Sequence, residues 1–156
     1  MPALVALKEV PPTIFVVSSH DDVTIPEIPA ISRNELDPLV AALEAAGGEA
    51  TAPVTFIYYG ADGTPTTRFR LDLAIPVSTR PTSLAEPYEV LDTPPFRCVA
   101  TDYVGPMAEI QVGYDALFAA MAAQGLTRTN ESREIYKKWI GMESPDNVTE
   151  LQIGVR

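Results

Sequence analysis

The apolar, small and glycine positions of Leu39 to Gly47 (LVAALEAAG) recur 78 positions later in Leu117 to Gly125 (LFAAMAAQG). The same offset carries Ile57-Tyr58 onto Ile135-Tyr136, and Leu73, Ile75 and Val77 onto Leu151, Ile153 and Val155. Three elements in one register indicate an internal duplication, with halves of about 1–80 and 85–156 inside one domain spanning 1–156. An earlier pair, Glu9-Val10-Pro11-Pro12 and Asp92-Thr93-Pro94-Pro95, matches at an offset of 83. The first half therefore carries five extra residues, expected in a loop before its helix.

Each half reads as strand, helix, strand, strand. Runs of β-branched and aromatic residues at about Leu4 to Ser18 and Tyr88 to Tyr103 predict the opening strands. The Pro-Pro pair in each has no N–H to give a ladder and predicts a kink or bulge. Asn34 or Ser32 is expected to cap the first helix, with Pro38 in its opening turn and Gly47-Gly48 at its end. Pro106 and Gly125 frame the second, in which Ile110, Tyr114, Leu117, Phe118 and Met121 recur at helical spacing. The later strands are expected at Val54 to Tyr59 and Phe69 to Val77, with Ala61-Asp62-Gly63 turning between them, and at Arg133 to Trp139 and Val148 to Val155. The fold class that follows is α+β: tandem strand-helix-strand-strand units forming a pseudo-twofold antiparallel sheet with two helices. A central cleft is expected at the seam, where walls come from both halves.

Composition narrows the function classes. With 46% hydrophobic residues the chain is globular rather than disordered. Eleven Lys and Arg against 21 Asp and Glu give a net charge of −10, and no basic cluster appears, so no direct nucleic-acid partner is expected. No apolar run approaches the ~20 residues that span a bilayer. The segment MPALVALKEVPP lacks the pattern of a signal peptide, so the expectation is a cytoplasmic protein with no membrane partner. The single His20 and single Cys98 have no ligand spacing, and neither a metal nor another cofactor is expected. His20-Asp21-Asp22 reads as a solvated loop and Cys98 as an inert strand residue. Met107 and Met142 suit an adaptable pocket, whereas Met121 has core spacing.

The candidate chemistry lies where the halves disagree. Aligning Tyr58 with Tyr136 matches Phe56 to Glu134, an apolar position in one half and an acid in the other. Strand alternation puts Glu134 and Tyr136 on one face and Ile135 on the other. Two environments are open for Glu134: a solvated face where it pairs with Arg133, Lys137 or Lys138, or a cleft where it meets a ligand. In a cleft, Tyr58, Tyr136, Trp139, Tyr103 and Phe56 would offer π faces to a cationic or planar molecule.

Taken in order, the Pro-kinked opening strands, Tyr103-Val104-Gly105-Pro106, Arg133-Glu134-Ile135-Tyr136 and the closing Thr149-Glu150-Leu151-Gln152-Ile153 resemble the GyrI-like effector-binding family. That domain occurs in bacterial drug-sensing transcription regulators and in stand-alone gyrase-inhibitor proteins. The resemblance covers essentially the whole chain. It implies a cleft for hydrophobic, often cationic small molecules, with the family's central acid at Glu134 and an aromatic lining at Tyr136, Trp139, Tyr58 and Tyr103. It leaves no room for a helix-turn-helix segment, so a free-standing effector or drug-sequestering module is expected. Two other uses follow from the resemblance. One is hydrolysis of strained-ring or activated electrophiles, with Glu134 as base and Tyr136 or Tyr103 as donor. The other is contact with a regulator or gyrase-type protein partner through the acidic surface.

Overall fold

Both Pro-Pro pairs cut their strands in two, and the two pieces join different neighbours. In the computed structural model, which describes residues 4–156, the first run gives β1 (Ala6–Val10) and β2 (Thr13–Val23). The first three positions of the N-terminal half lie outside the described residues. After α1 (Ile28–Ala45) come β3 (Thr55–Tyr59) and β4 (Phe69–Val77). The second half repeats the pattern as β5 (Glu89–Thr93), β6 (Phe96–Val104), α2 (Gln111–Gln124), β7 (Arg128–Lys138) and β8 (Val148–Val155).

The pieces before each Pro-Pro pair cross over: β1 pairs with β6 and β5 pairs with β2, all antiparallel. A proline pair cannot continue a ladder, so the chain leaves one partner there and takes another. The resulting eight-stranded order, β1-β6-β8-β7-β3-β4-β2-β5, reads the same from either end once each strand is exchanged for its repeat counterpart. The pseudo-twofold axis therefore passes between β3 and β7. In that ladder Phe56 faces Glu134, and these residues are 78 positions apart, the repeat offset, so the axis runs through this pair.

Two features of the first half differ from the expectations, and in the second half β7 starts five residues before the expected Arg133 and stops short of Trp139. The helices begin at Ile28 and Gln111, which are 83 apart, but reach their terminal glycines, Gly47 and Gly125, at the 78 offset. The extra residues of the first half thus lengthen α1, which has 18 residues against 14 in α2, instead of forming a loop. This longer helix places Ser32, Asn34 and Pro38 in its interior. Its start is fixed upstream: the Glu27 carboxylate accepts from Thr24 N at 2.8 Å, and Pro29 occupies the first turn. Pro38 is exposed, so the carbonyl it leaves unbonded faces water. The second difference concerns His20-Asp21-Asp22, which belongs to the irregular end of β2 rather than to a loop; His20 Nε2 lies 2.8 Å from Ser18 Oγ.

Both helices lie on one face of the sheet. Leu39 and Leu43 of α1 pack on Val16, Leu71, Leu73 and Ile75, while Leu117 and Met121 of α2 pack on Val99, Leu151 and Ile153. The repeat-matched positions of β4 and β8 serve these two equivalent cores. The opposite face carries Phe15, Val17, Ile57 and Ala74, and beside them Phe96, buried Cys98 and Ala100. Burial pushes the Cys98 thiol up to about 11, which keeps it protonated and unreactive near neutral pH. No helix among the described residues is long and apolar enough to cross a membrane.

Candidate functional site

Between α1 and α2, above the β3–β7 seam, lies a cavity of about 960 Å³. Leu36 of α1, Tyr114 and Phe118 of α2, Phe56 and Tyr58 of β3, and Glu134 and Tyr136 of β7 form its walls and floor. Trp139, just beyond β7, and Met107 and Met142 complete one side. The two helices cannot meet over the seam because each is anchored to its own half-core; the gap left between them is the cavity.

Glu134 is buried on its floor, 7% exposed. The repeat-related pair Tyr58 and Tyr136 both donate to its Oε1, at 2.9 and 2.7 Å. Tyr114 donates to Oε2. A carboxylate offers about four acceptor positions, so three hydroxyls leave one position on Oε2 open. Burial, followed by the Glu134 charge, holds all three hydroxyls well above the usual tyrosine value of 10.0, so they remain donors throughout the neutral range.

The cations near Glu134 in sequence do not reach it. Arg133 points to the other sheet face, where it pairs with Glu131 at 2.7 Å and stacks over Phe96 at 4.0 Å. Lys137 pairs with Asp102 and Glu150, at 3.0 and 3.1 Å. Among the described residues no Lys or Arg forms an ion pair with Glu134. The solvated, ion-paired alternative for this residue is thereby replaced by a buried carboxylate held only by phenols.

The aromatic groups form a connected set. Phe56 meets Tyr136 edge to face at 4.7 Å, and Tyr136 meets Trp139 at 5.8 Å. Tyr103 stands apart. Its ring packs under α2 with Leu117, Met121 and Leu151, and its hydroxyl donates to Pro106 O at 2.6 Å, so it braces the turn into α2 and does not line the cavity. The residue that sequence reasoning placed in the core and the structure places on the site is Tyr114. Its spacing with Ile110, Leu117 and Met121 is that of a buried helix face; the signal was its hydroxyl, the one polar group on that stripe, which needed a buried partner. No cluster of three or more His, Cys, Asp or Glu suited to a metal occurs among the described residues.

A model of the GyrI-like small-molecule-binding domain matches residues 5–156, and the chain belongs to that family. No curated protein matches the sequence. The C-terminal domain of EcmrR superposes with a TM-score of 0.82 at 20% identity, over 100% of this chain and 99% of that one. The chain spans only 58% of the longer EcmrR chain solved in a DNA complex. SAV2435, solved bound to tetraphenylphosphonium, gives a TM-score of 0.70 at 12% identity, over 98% of this chain and 94% of that one. A hydrolase from Listeria innocua gives 0.71 at 14% identity, over 97% and 91%. At these identities the likeness shows a shared fold.

Proposed function

We propose that this chain holds lipophilic aromatic molecules, cations foremost, between α1 and α2, with Glu134 as their counter-charge, and that it serves as an effector sensor or drug-sequestering module. The observation that carries the proposal is a buried carboxylate on the floor of an aromatic cavity, bonded by phenols and, among the described residues, in an ion pair with no Lys or Arg. Removing an ionised carboxylate from water costs several kcal/mol unless a cation or hydrogen bonds offset it. A ligand cation placed over Tyr136 and Trp139 would gain both the Glu134 charge and the ring faces. The tetraphenylphosphonium held by SAV2435 is a ligand of this kind in the same fold.

Hydrolysis in the same cleft, the use suggested by the Listeria fold relative, fits less well. A base and a separate donor to the electrophile are both required. Here every tyrosine hydroxyl on the cavity floor already donates to Glu134, so none is left to polarise a substrate. Titration with tetraphenylphosphonium in the wild type and in Glu134→Gln tests the binding proposal, and turnover of an activated ester by either protein tests the hydrolytic one.

A further inference from the structure

The same cavity carries a second charge, of the opposite sign. Arg128 opens β7 and lines the cavity, where its Nη2 donates to Ala61 O at 2.9 Å and its guanidinium lies 5.7 Å from the centre of the Phe118 ring. One of its five N–H donors is thus engaged with a neutral carbonyl, and no carboxylate pairs with it among the described residues. Arg128 pairs with Val155 of β8, and Glu134 pairs with Leu151. The two partners are four residues apart on one face of β8, so the backbones of Arg128 and Glu134 are separated by about 13 Å along the sheet. Its contacts with Ala61 and Phe118 hold the Arg128 guanidinium in the cavity wall, and its charge opposes the rise that burial and Glu134 impose on the Tyr114 hydroxyl.

A cavity meant for simple cations would gain nothing from a guanidinium on its wall, which repels them. Resting on the reading of the cleft as a ligand site, we propose that its ligands are amphoteric: a lipophilic aromatic cation seated by Glu134, joined to a carboxylate or sulfonate that Arg128 receives. Arg128 is then a specificity residue that selects among cations by what is attached to them. Its planar fork suits a carboxylate, which it can meet with two parallel hydrogen bonds. The other charged groups on the cavity, Arg33 and Asp62, are exposed at its mouth, and Asp62 is taken up by Thr64 and Thr67.

The test uses two xanthylium dyes, rhodamine 19 and rhodamine 6G, which share one cationic ring system and differ in bearing a free carboxylate or its ethyl ester. Wild type should bind the carboxylate form about tenfold or more tightly than the ester. Arg128→Met, which keeps the stem against Phe118, should abolish that preference by weakening the acid while the ester, relieved of a like charge, holds or tightens, its binding also reporting an intact fold. Arg128→Lys should restore part of it. Equal affinity of wild type for the two dyes, or an equal loss for both in Arg128→Met, overturns the inference; if Glu134→Gln still weakens both dyes, the cation cleft itself survives. Binding of neither dye overturns both.

Discussion

Glu134 faces Phe56 across the β3–β7 ladder, and each occupies the other's place in the duplicated halves. The acid therefore sits on the pseudo-twofold axis, at a position where only one copy can carry a charge without placing two carboxylates against each other. Around that axis Tyr58 and Tyr136, themselves counterparts, converge on the same oxygen. Duplication supplies a symmetric pair of donors, and a single divergence at its centre supplies one charge for them. The third donor, Tyr114, comes from one half alone.

Tyr114→Phe separates holding the acid from binding a cation. Loss of a buried hydroxyl donor to a charged group should lower stability by about 1–3 kcal/mol. The same change leaves Oε2 less satisfied, so affinity for tetraphenylphosphonium should rise or hold, not fall. Chemical denaturation and fluorescence titration of the one variant read the two effects.

The alkaline limb of stability follows from the same hydroxyls. Tyr58, Tyr114 and Tyr136 have folded-state pKa values raised well above 10, chiefly by burial. Their stabilising contribution is therefore complete below about pH 10, where unfolded tyrosine is protonated, and is lost as pH rises beyond it. Each contributes a loss of up to about 1.4 kcal/mol per pH unit above 10 until its folded value is reached. Denaturation midpoints measured from pH 8 to 11.5 should be flat at first and then fall steeply. Absorbance of tyrosinate should show these three ionising only as the protein unfolds.

Much of this arrangement was legible in the sequence because a repeat constrains several elements at once. The 78 offset gave the halves, the later strands and the Phe56–Glu134 disagreement, and the Pro-Pro pairs gave the strand breaks. The partner exchange at those breaks was not legible, since a proline says where a ladder stops and not which strand comes next. The start of α1 was missed because Asn34 and Ser32 are good caps anywhere, whereas the true start depends on Thr24 and Glu27 bonding before a helix one turn longer than its counterpart. Tyr103 and Tyr114 exchanged roles for a related reason. Both are aromatic at buried positions, and only the packing of α2 on β6 and β8 decides which hydroxyl turns toward the seam.

The placement of α2 rests on Gly113. A Cβ there would lie 2.6 Å from Leu151 Cδ1 and 3.2 Å from Tyr103 Cβ, so the helix approaches the sheet as closely as a glycine permits. Gly113→Val should push α2 outward, cost about 1–3 kcal/mol by overpacking, and draw Tyr114 away from Glu134. Melting temperature should fall, and tetraphenylphosphonium affinity should change with it.

The most direct measurement uses Trp139, the only tryptophan, whose ring stands 5.8 Å from that of Tyr136 at the cavity. Its fluorescence is followed while tetraphenylphosphonium, or the neutral triphenylphosphine oxide, is added to the wild type and to Glu134→Gln. The glutamine can still take part in hydrogen bonds with all three tyrosines, so the variant should fold with stability within about 1–2 kcal/mol of wild type. The counter-charge role of Glu134 predicts saturable quenching by the cation, weakened about tenfold or more in the variant, with the neutral compound indifferent to the change. Equal cation affinity in the two proteins would contradict it.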